Sequence, residues 1–319
     1  MTIAVTHQKE VTPSMDLVSS ELLRVEQRIA EVIASREPRL TDISDYLINA
    51  GGKRVRPAVS MLVFRACGGE DITDMVDLSV SLELIHTATL LHDDIIDSND
   101  TRRGRAAAPV RFGIADTLVT GDFLFSRAFE VCGRFEAKVV AWAAGACIQL
   151  TEGEIMQGRF RRNVAVTEAD YLEIIGRKTA SLFEAGSRIA AHLAGMPEQA
   201  VERLADCGRQ IGLAFQMIDD VLDVEGHTSR TGKRVGTDLL DGNPSLPIVW
   251  GMELPAVRSA FTSEIENGPA VETAIDAMRS ANIPDRVRTA AVVHARKALD
   301  TIELGLPQGG TRDTTAHTG

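Results

Sequence analysis

The chain is short of cysteine, of positive charge and of long apolar runs, and each shortage excludes a class of protein. Only four cysteines occur, Cys67, Cys132, Cys147 and Cys207, with no C-x-x-C pair among them. They predict buried thiols in a reducing cytosol rather than a disulfide framework. Lysine and arginine number 34 against 45 aspartates and glutamates, a net charge of −11, which argues against nucleic acid as the main partner. The longest apolar stretch, Val139 to Ile148, is about half of what a membrane span needs. Met1 to Asp16 lacks the charged-then-apolar order of a signal peptide. Strand-like alternation is scarce too. The expectation is a cytoplasmic, all-α protein that is not transmembrane.

Helical periodicity divides the 319 residues into one domain with a core at about 17–304. A first amphipathic helix is predicted from Asp16 to Ser35, with Leu17, Leu22, Val25, Ile29 and Val32 on one side. Pro57 opens another helix, which Gly68-Gly69 ends. A long helix spans Thr73 to Asp97, a loop Arg102 to Ala108, and further helices Gly113–Cys132 and Glu136–Phe160. Thr167 and Asp170 cap a helix from Glu168 to Ala194. Pro197 starts another, and shorter helices follow the loop His227–Pro247. The Gly/Thr-rich tail, 305–319, is expected to be disordered.

Against this background one acidic signature occurs twice. Asp93-Asp94-Ile95-Ile96-Asp97 and Asp219-Asp220-Val221-Leu222-Asp223 both read D-D-x-x-D, with starts 126 positions apart. With 23 Asp in the chain, chance supplies only about 0.1 such motif. On a helix, Asp93 and Asp97 share a face with Asp94 beside them. Exposed, such carboxylates would be two solvated acidic patches. The flanks are apolar, however (Leu90 and Leu91; Ala214, Phe215, Met217 and Ile218), so the acids sit on core-facing helices. There their repulsion and desolvation must be answered by positive charge. Mg²⁺ prefers carboxylate oxygens with room left for water, usually together with substrate phosphates.

Cations gather at four other places. Gly51-Gly52-Lys53-Arg54-Val55-Arg56-Pro57 sets three of them between a glycine pair and a helix start, where anions are favoured. Arg102-Arg103-Gly104 follows closely on the first acid motif. Lys178-Thr179 lies mid-helix, and Gly232-Lys233 follows the second motif. Together they describe a cleft for two diphosphates, one bridged to metal by Asp and one held by Lys and Arg alone. Cations on the first would stabilise the charge that grows as its C–O bond breaks. The second would be held at attack distance.

The motifs and their order resemble the trans-isoprenyl diphosphate synthases, or polyprenyl synthetases, from about Leu17 to Leu304. The matching segments are Gly52-Lys53-x-x-Arg56-Pro57, Leu84-Ile85-His86-Thr87 leading into Asp93–Asp97, Arg102-Arg103-Gly104 and Gly121-Asp122. Lys178-Thr179, Phe215-Gln216-x-x-Asp219-Asp220-x-x-Asp223 and Gly232-Lys233-x-x-Gly236-x-Asp238-Leu239 complete them. The resemblance implies an isoprenoid-synthase-type helical bundle around a deep central cavity, usually a homodimer. It implies that Asp93, Asp94, Asp97, Asp219 and Asp223 bind Mg²⁺, three ions per site, on the allylic diphosphate, with Asp220 also catalytic. Arg102, Lys178 and Lys233 would contact that diphosphate. Lys53, Arg56, His86 and Arg103 would hold isopentenyl diphosphate. Thr179 and Gln216 would face the allylic cation, and the proton would leave to the released pyrophosphate. His92 reads as structural.

Two departures are visible. Gly242-Asn243-Pro244-Ser245-Leu246-Pro247 stands where the resemblance implies Gly-Lys-x-Thr-Leu-Pro, so one diphosphate lysine is missing. A polar tail also replaces the last helix, so one wall is expected to be shortened or supplied by a dimer partner. Ala88 and Thr89, five and four residues before Asp93, are small where bulky aromatics would close the cavity. That most resembles bacterial octaprenyl and other medium-to-long-chain synthases and predicts C30–C50 products, with C20 as the alternative and C15 also weighed. Cys132, Ala143 and Ala144 leave the lower wall open, with Phe129 and Trp142 as its possible floor. Class I terpene cyclases usually lack the second motif and the Lys/Arg site. Non-catalytic subunits lose acids, whereas all six Asp are present here. The product could be passed to a membrane.

Overall fold

The computed structural model describes residues 13–226, 235–263 and 268–305. Gly232, Lys233 and residues 306–319 lie outside the described residues. Helices run at Pro13–Asp16 (α1), Ser19–Val32 (α2), Pro38–Ile48 (α3), Val55–Ala66 (α4) and Thr73–Ile96 (α5). Two-residue strands follow, Thr101–Arg102 (β1) and Arg105–Ala106 (β2), then Ala108–Phe112 (α6), Ile114–Cys132 (α7) and Ala137–Phe160 (α8). Glu168–Ile175 (α9) continues through a π-turn, Gly176–Ala180, into Ser181–Leu193 (α10), and Glu198–Glu225 is α11. Shorter helices Thr237–Asp241 (α12), Leu246–Gly251 (α13), Pro255–Thr262 (α14) and Gly268–Ser280 (α15) precede Ile283–Gly305 (α16).

α5 is the axis of the bundle. Of its 24 residues, 15 are buried, and they fall on every side, as expected of a helix enclosed by others. α2, α4, α7 and α10 pack around it. Their side chains make one core, including Leu84, Ile85, Ala88, Leu124, Ala128 and Leu182. A second core joins α9 and the end of α11 to the C-terminal helices through Tyr171, Met217, Val221, Ile248, Phe261 and Val287. Both acid motifs lie at helix ends, the first closing α5 and the second near the end of α11.

Local chemistry explains where expectation and structure agree. The Thr167 hydroxyl accepts from Asp170 N at 3.2 Å while Asp170 Oδ2 accepts from Thr167 N at 2.9 Å, a reciprocal cap. Pro57 lies in the first turn of α4, where no N–H is needed. Three expectations need correcting. The first helix is Ser19–Val32, with a separate turn before it. α3 was not foreseen, although Pro38 at its start and Ile43, Leu47 and Ile48 on its buried face carry the signal. The stretch from Arg102 is not simply a loop, because β1 and β2 form a hairpin and α6 begins at Ala108.

Candidate active site

The backbone carbonyls at a helix C-terminus carry partial negative charge, and both acid motifs sit there. Each carboxylate of the first motif meets its own cation. Lys178 Nζ stands 4.0 Å from Asp93 Oδ2. Arg102 Nε donates to Asp94 Oδ1 at 2.6 Å, and Arg161 Nη2 donates to Asp97 Oδ1 at 2.5 Å. Asp94 is fully buried, and its Oδ2 has no hydrogen-bond partner. Burial above all, with Glu154 and Asp97 adding repulsion against Lys178 and Arg102, pushes Asp93 from 3.8 up to about 7. Burial pushes Asp241 up to about 6 as well, with Asp97 and Asp223 repelling it.

The second motif divides its work. Asp219 is exposed. Asp220 is buried and accepts from Tyr171 OH at 2.7 Å, Gln216 Nε2 at 2.9 Å and Leu246 N at 3.1 Å. Burial still pushes it up to about 6. Asp223 accepts from the N–H groups of Thr237 and Asp238 at 3.1 Å each and so anchors the start of α12. Thr179 Oγ1 donates to Gln216 Oε1 at 2.8 Å, which ties the π-turn to Asp220. Lys178 also donates to Gln157 Oε1 at 2.8 Å and pairs with Glu154.

That π-turn re-aims the helix at its functional residues. Two close approaches hold it: a Cβ on Gly153 would lie 2.6 Å from Lys178 N, and one on Gly212 would lie 2.6 Å from Ala180 Cα. Glycine is needed at both.

The remaining cations face the other way. Arg103 and Gly104 have φ of 52° and 73°, as a tight hairpin turn requires. This turn sends Arg102 to Asp94 and Arg103 toward Arg54. The guanidinium groups of both Arg54 and Arg103 lie within reach of a Cβ at Gly52, at 3.0 and 3.3 Å. Arg54 itself is structural: buried, it pairs with Glu26 at 2.7 Å and Glu83 at 2.8 Å. Arg56 lies over the Phe183 ring at 5.1 Å. Burial lowers its pKa, while Glu83 and Asp219 pull the other way. Burial, then Arg56 and Arg103, hold His86 well below its ordinary value, so its ring is neutral at pH 7. Lys53 is exposed. His92 is structural, its Nε2 lying 3.2 Å from Leu118 O.

Among the described residues, no three His, Cys, Asp or Glu side chains converge to hold a metal by themselves. The donor set still fits a hard cation that takes its other ligands from phosphate and water. Asp94 Oδ2 is left without a partner, and burial raises Asp93 and Asp220 in spite of the cation and hydrogen-bond donors beside them. Asp93 gains protons on folding, so without metal the folded state should lose stability as pH rises from about 4 to about 7. Thermal melts across that range should show the fall. Mg²⁺ with a diphosphate analogue should reverse it most at the upper end. The fall should be smaller in Asp93→Asn than in wild type, and identical profiles would exclude the raised Asp93.

Glu83, Glu154, Gln157, Arg161, Tyr171 and Asp241 were not read from the sequence. Glu154, Gln157 and Arg161 recur at i, i+3 and i+7, one stripe along the end of α8, and that spacing was the available signal. Ala88 is fully buried, and Thr89 is 9% exposed, its hydroxyl donating to His86 O at 2.8 Å. Phe129, near the end of α7, is 37% exposed. Trp142 packs edge-on against His192.

A family model described as Polyprenyl synthetase matches residues 37–281. The chain belongs to the polyprenyl synthetase family. As a polyprenyl synthetase it is a prenyltransferase, and the matched span includes every described candidate residue from Lys53 to Asn243. It is 37% identical over 298 residues to the octaprenyl diphosphate synthase of Haemophilus influenzae, covering 92% of this chain and 90% of that one. The Escherichia coli protein of the same name is 35% identical, covering 91% of each. The crystal structure of a Caulobacter crescentus polyprenyl synthase with calcium and isoprenyl diphosphate superposes with a TM-score of 0.88 at 32% identity, covering 93% and 92%. Other related polyprenyl synthetases carry names from geranylgeranyl to nonaprenyl diphosphate synthase. No helix among the described residues is long and apolar enough to cross a membrane.

Proposed function

We propose that this enzyme condenses isopentenyl diphosphate with a C10–C20 allylic diphosphate to make an all-trans polyprenyl diphosphate of C30–C50. The carrying observation is the division of labour at the hairpin. Arg102 donates to Asp94, while Arg103, one residue on, turns its guanidinium to Gly52 and Arg54, on the side of Arg56 and the neutral His86. One cleft thus offers a metal-assisted diphosphate site beside a metal-free one.

In this reading Asp93, Asp97 and Asp219 hold Mg²⁺, three ions per site, with Asp94 and Asp223 beside them. Bound there, Mg²⁺ would stabilise charge growing on the leaving diphosphate. Arg102, Lys178 and Lys233 bind that diphosphate. Asp220, fixed by Tyr171, orients Gln216, and Gln216 and Thr179 turn their oxygens toward the allylic cation. Lys53, Arg56, His86 and Arg103 hold isopentenyl diphosphate so that its double bond reaches that cation. Incubation with labelled isopentenyl diphosphate and C10, C15 or C20 primers, followed by product sizing, tests the reading. C20 as the end product would replace the chain-length part, and no elongation would overturn the whole.

The four cysteines are unpaired, which supports a reducing cytosol. The assembly proposed is a homodimer. Ile114 and Leu118 on α7, with Ile148 and Ile155 on α8, are large apolar side chains between 47% and 67% exposed, the kind of patch that marks an interface. Ile155→Asp should shift the species seen by light scattering from dimer to monomer. A monomeric wild type, or an unaltered dimer, would reject this face.

A further inference from the structure

We propose that Arg161 is a binding residue for the diphosphate at the acid cluster, which rests on the reading of that cluster as the allylic site. The basis is the pattern of one cation to each carboxylate: Lys178 at Asp93, Arg102 at Asp94 and Arg161 at Asp97. Arg161 belongs to this set by position, although it lies outside every motif.

The contacts of neighbouring arginines separate this role from a structural one. Arg162, the next residue, donates to the backbone carbonyls of Leu240, Phe261 and Ser263. Its backbone N donates to Gly242 O at 2.8 Å, so it staples the loop after α12 to the end of α8. Arg54 is likewise locked, between Glu26, Glu83 and Ile48 O. Arg161 instead donates to Asp97 Oδ1 at 2.5 Å and Asn243 Oδ1 at 3.3 Å and remains one-third exposed, where Arg54 is buried. Were Asp97 to bind a metal, it would share its charge with the cation, and the guanidinium would be left facing a weaker acceptor. The next anion at hand is the diphosphate on that metal, and Arg offers phosphate a planar fork of donors. The Arg162 staple keeps Asn243, and with it Arg161, facing Asp97.

Asn243 supplies the control. It is buried and accepts from Arg161 Nε at 3.3 Å, so a lysine there would bring an ammonium to the same place. Arg161→Gln should raise the KM for the allylic substrate about tenfold, the scale of one charge-assisted hydrogen bond. The KM for isopentenyl diphosphate should stay within about twofold. The Kd of a non-ionisable allylic thiodiphosphate, measured with Mg²⁺, should weaken in parallel. Arg161→Lys should recover part of the loss, and Arg161→Gln combined with Asn243→Lys most of it. An allylic KM and Kd unchanged in Arg161→Gln, or an equal rise in both substrates' KM without rescue, would overturn the assignment. Wild type in the same assay separates the two levels: if it fails to bind the thiodiphosphate, the allylic reading itself falls.

Discussion

Asp94→Ala is expected to lower kcat by roughly a hundredfold or more. The carboxylate is wholly buried and takes hydrogen bonds from Arg102 at 2.6 Å and from Asn99 Nδ2 at 3.1 Å. Removing it frees Arg102, deletes a charge the site needs for its cations, and leaves a small void. Breaking a buried pair costs about 3–5 kcal/mol, so the variant must be shown to be folded. Asp94→Asn keeps the volume and one acceptor and should melt closer to wild type, yet remain slow because the charge is gone. Single-turnover measurement with saturating substrates and circular dichroism would check both. Near-normal turnover in a folded Asp94→Ala would remove this residue from the catalytic set.

Ala88→Phe is expected to shorten the product from the proposed C30–C50 to C15–C20 while the first condensation is largely kept. Ala88 lies five residues before Asp93, about 7.5 Å along the axis of α5, so each added isoprene unit must pass its level. It is fully enclosed in the first core, which also holds Leu84, Leu124 and Ala128. A phenyl ring there must push these neighbours apart or project into the path proposed for the tail, and overpacking typically costs about 1–3 kcal/mol. A lower melting temperature should therefore accompany the shorter product. Product sizing against time checks this. An unchanged distribution would place the tail elsewhere.

The acids and basic segments were legible because their signals are local. An i, i+4 pair of aspartates on an apolar helix declares both its face and its need for cations. A Lys/Arg run after two glycines declares an anion site. The helices were legible where caps and periodicity agreed, as at Thr167. What stayed hidden depends on chain segments meeting in space. No local pattern says that Arg161 reaches Asp97, 64 residues away, or that Tyr171 fixes Asp220. Asp223 looks like its neighbours in sequence, yet its oxygens are engaged by the start of α12. Phe129 reads as a core residue by type, yet near the end of α7 it is more than a third exposed. The hairpin was missed because two-residue strands have no period to detect.

The π-turn at Gly176–Ala180 has an evolutionary consequence. A π-turn holds one residue more than a regular α-helix of the same span. Substituting Lys178 or Thr179 changes the side chain offered, whereas their placement rests on the count of residues and on the close approaches at Gly153 and Gly212. Losing any single residue from the segment would let α9 run into α10 as ordinary helix, smoother in backbone and blind in function. An insertion or deletion of one residue here would therefore shift that placement in a single step.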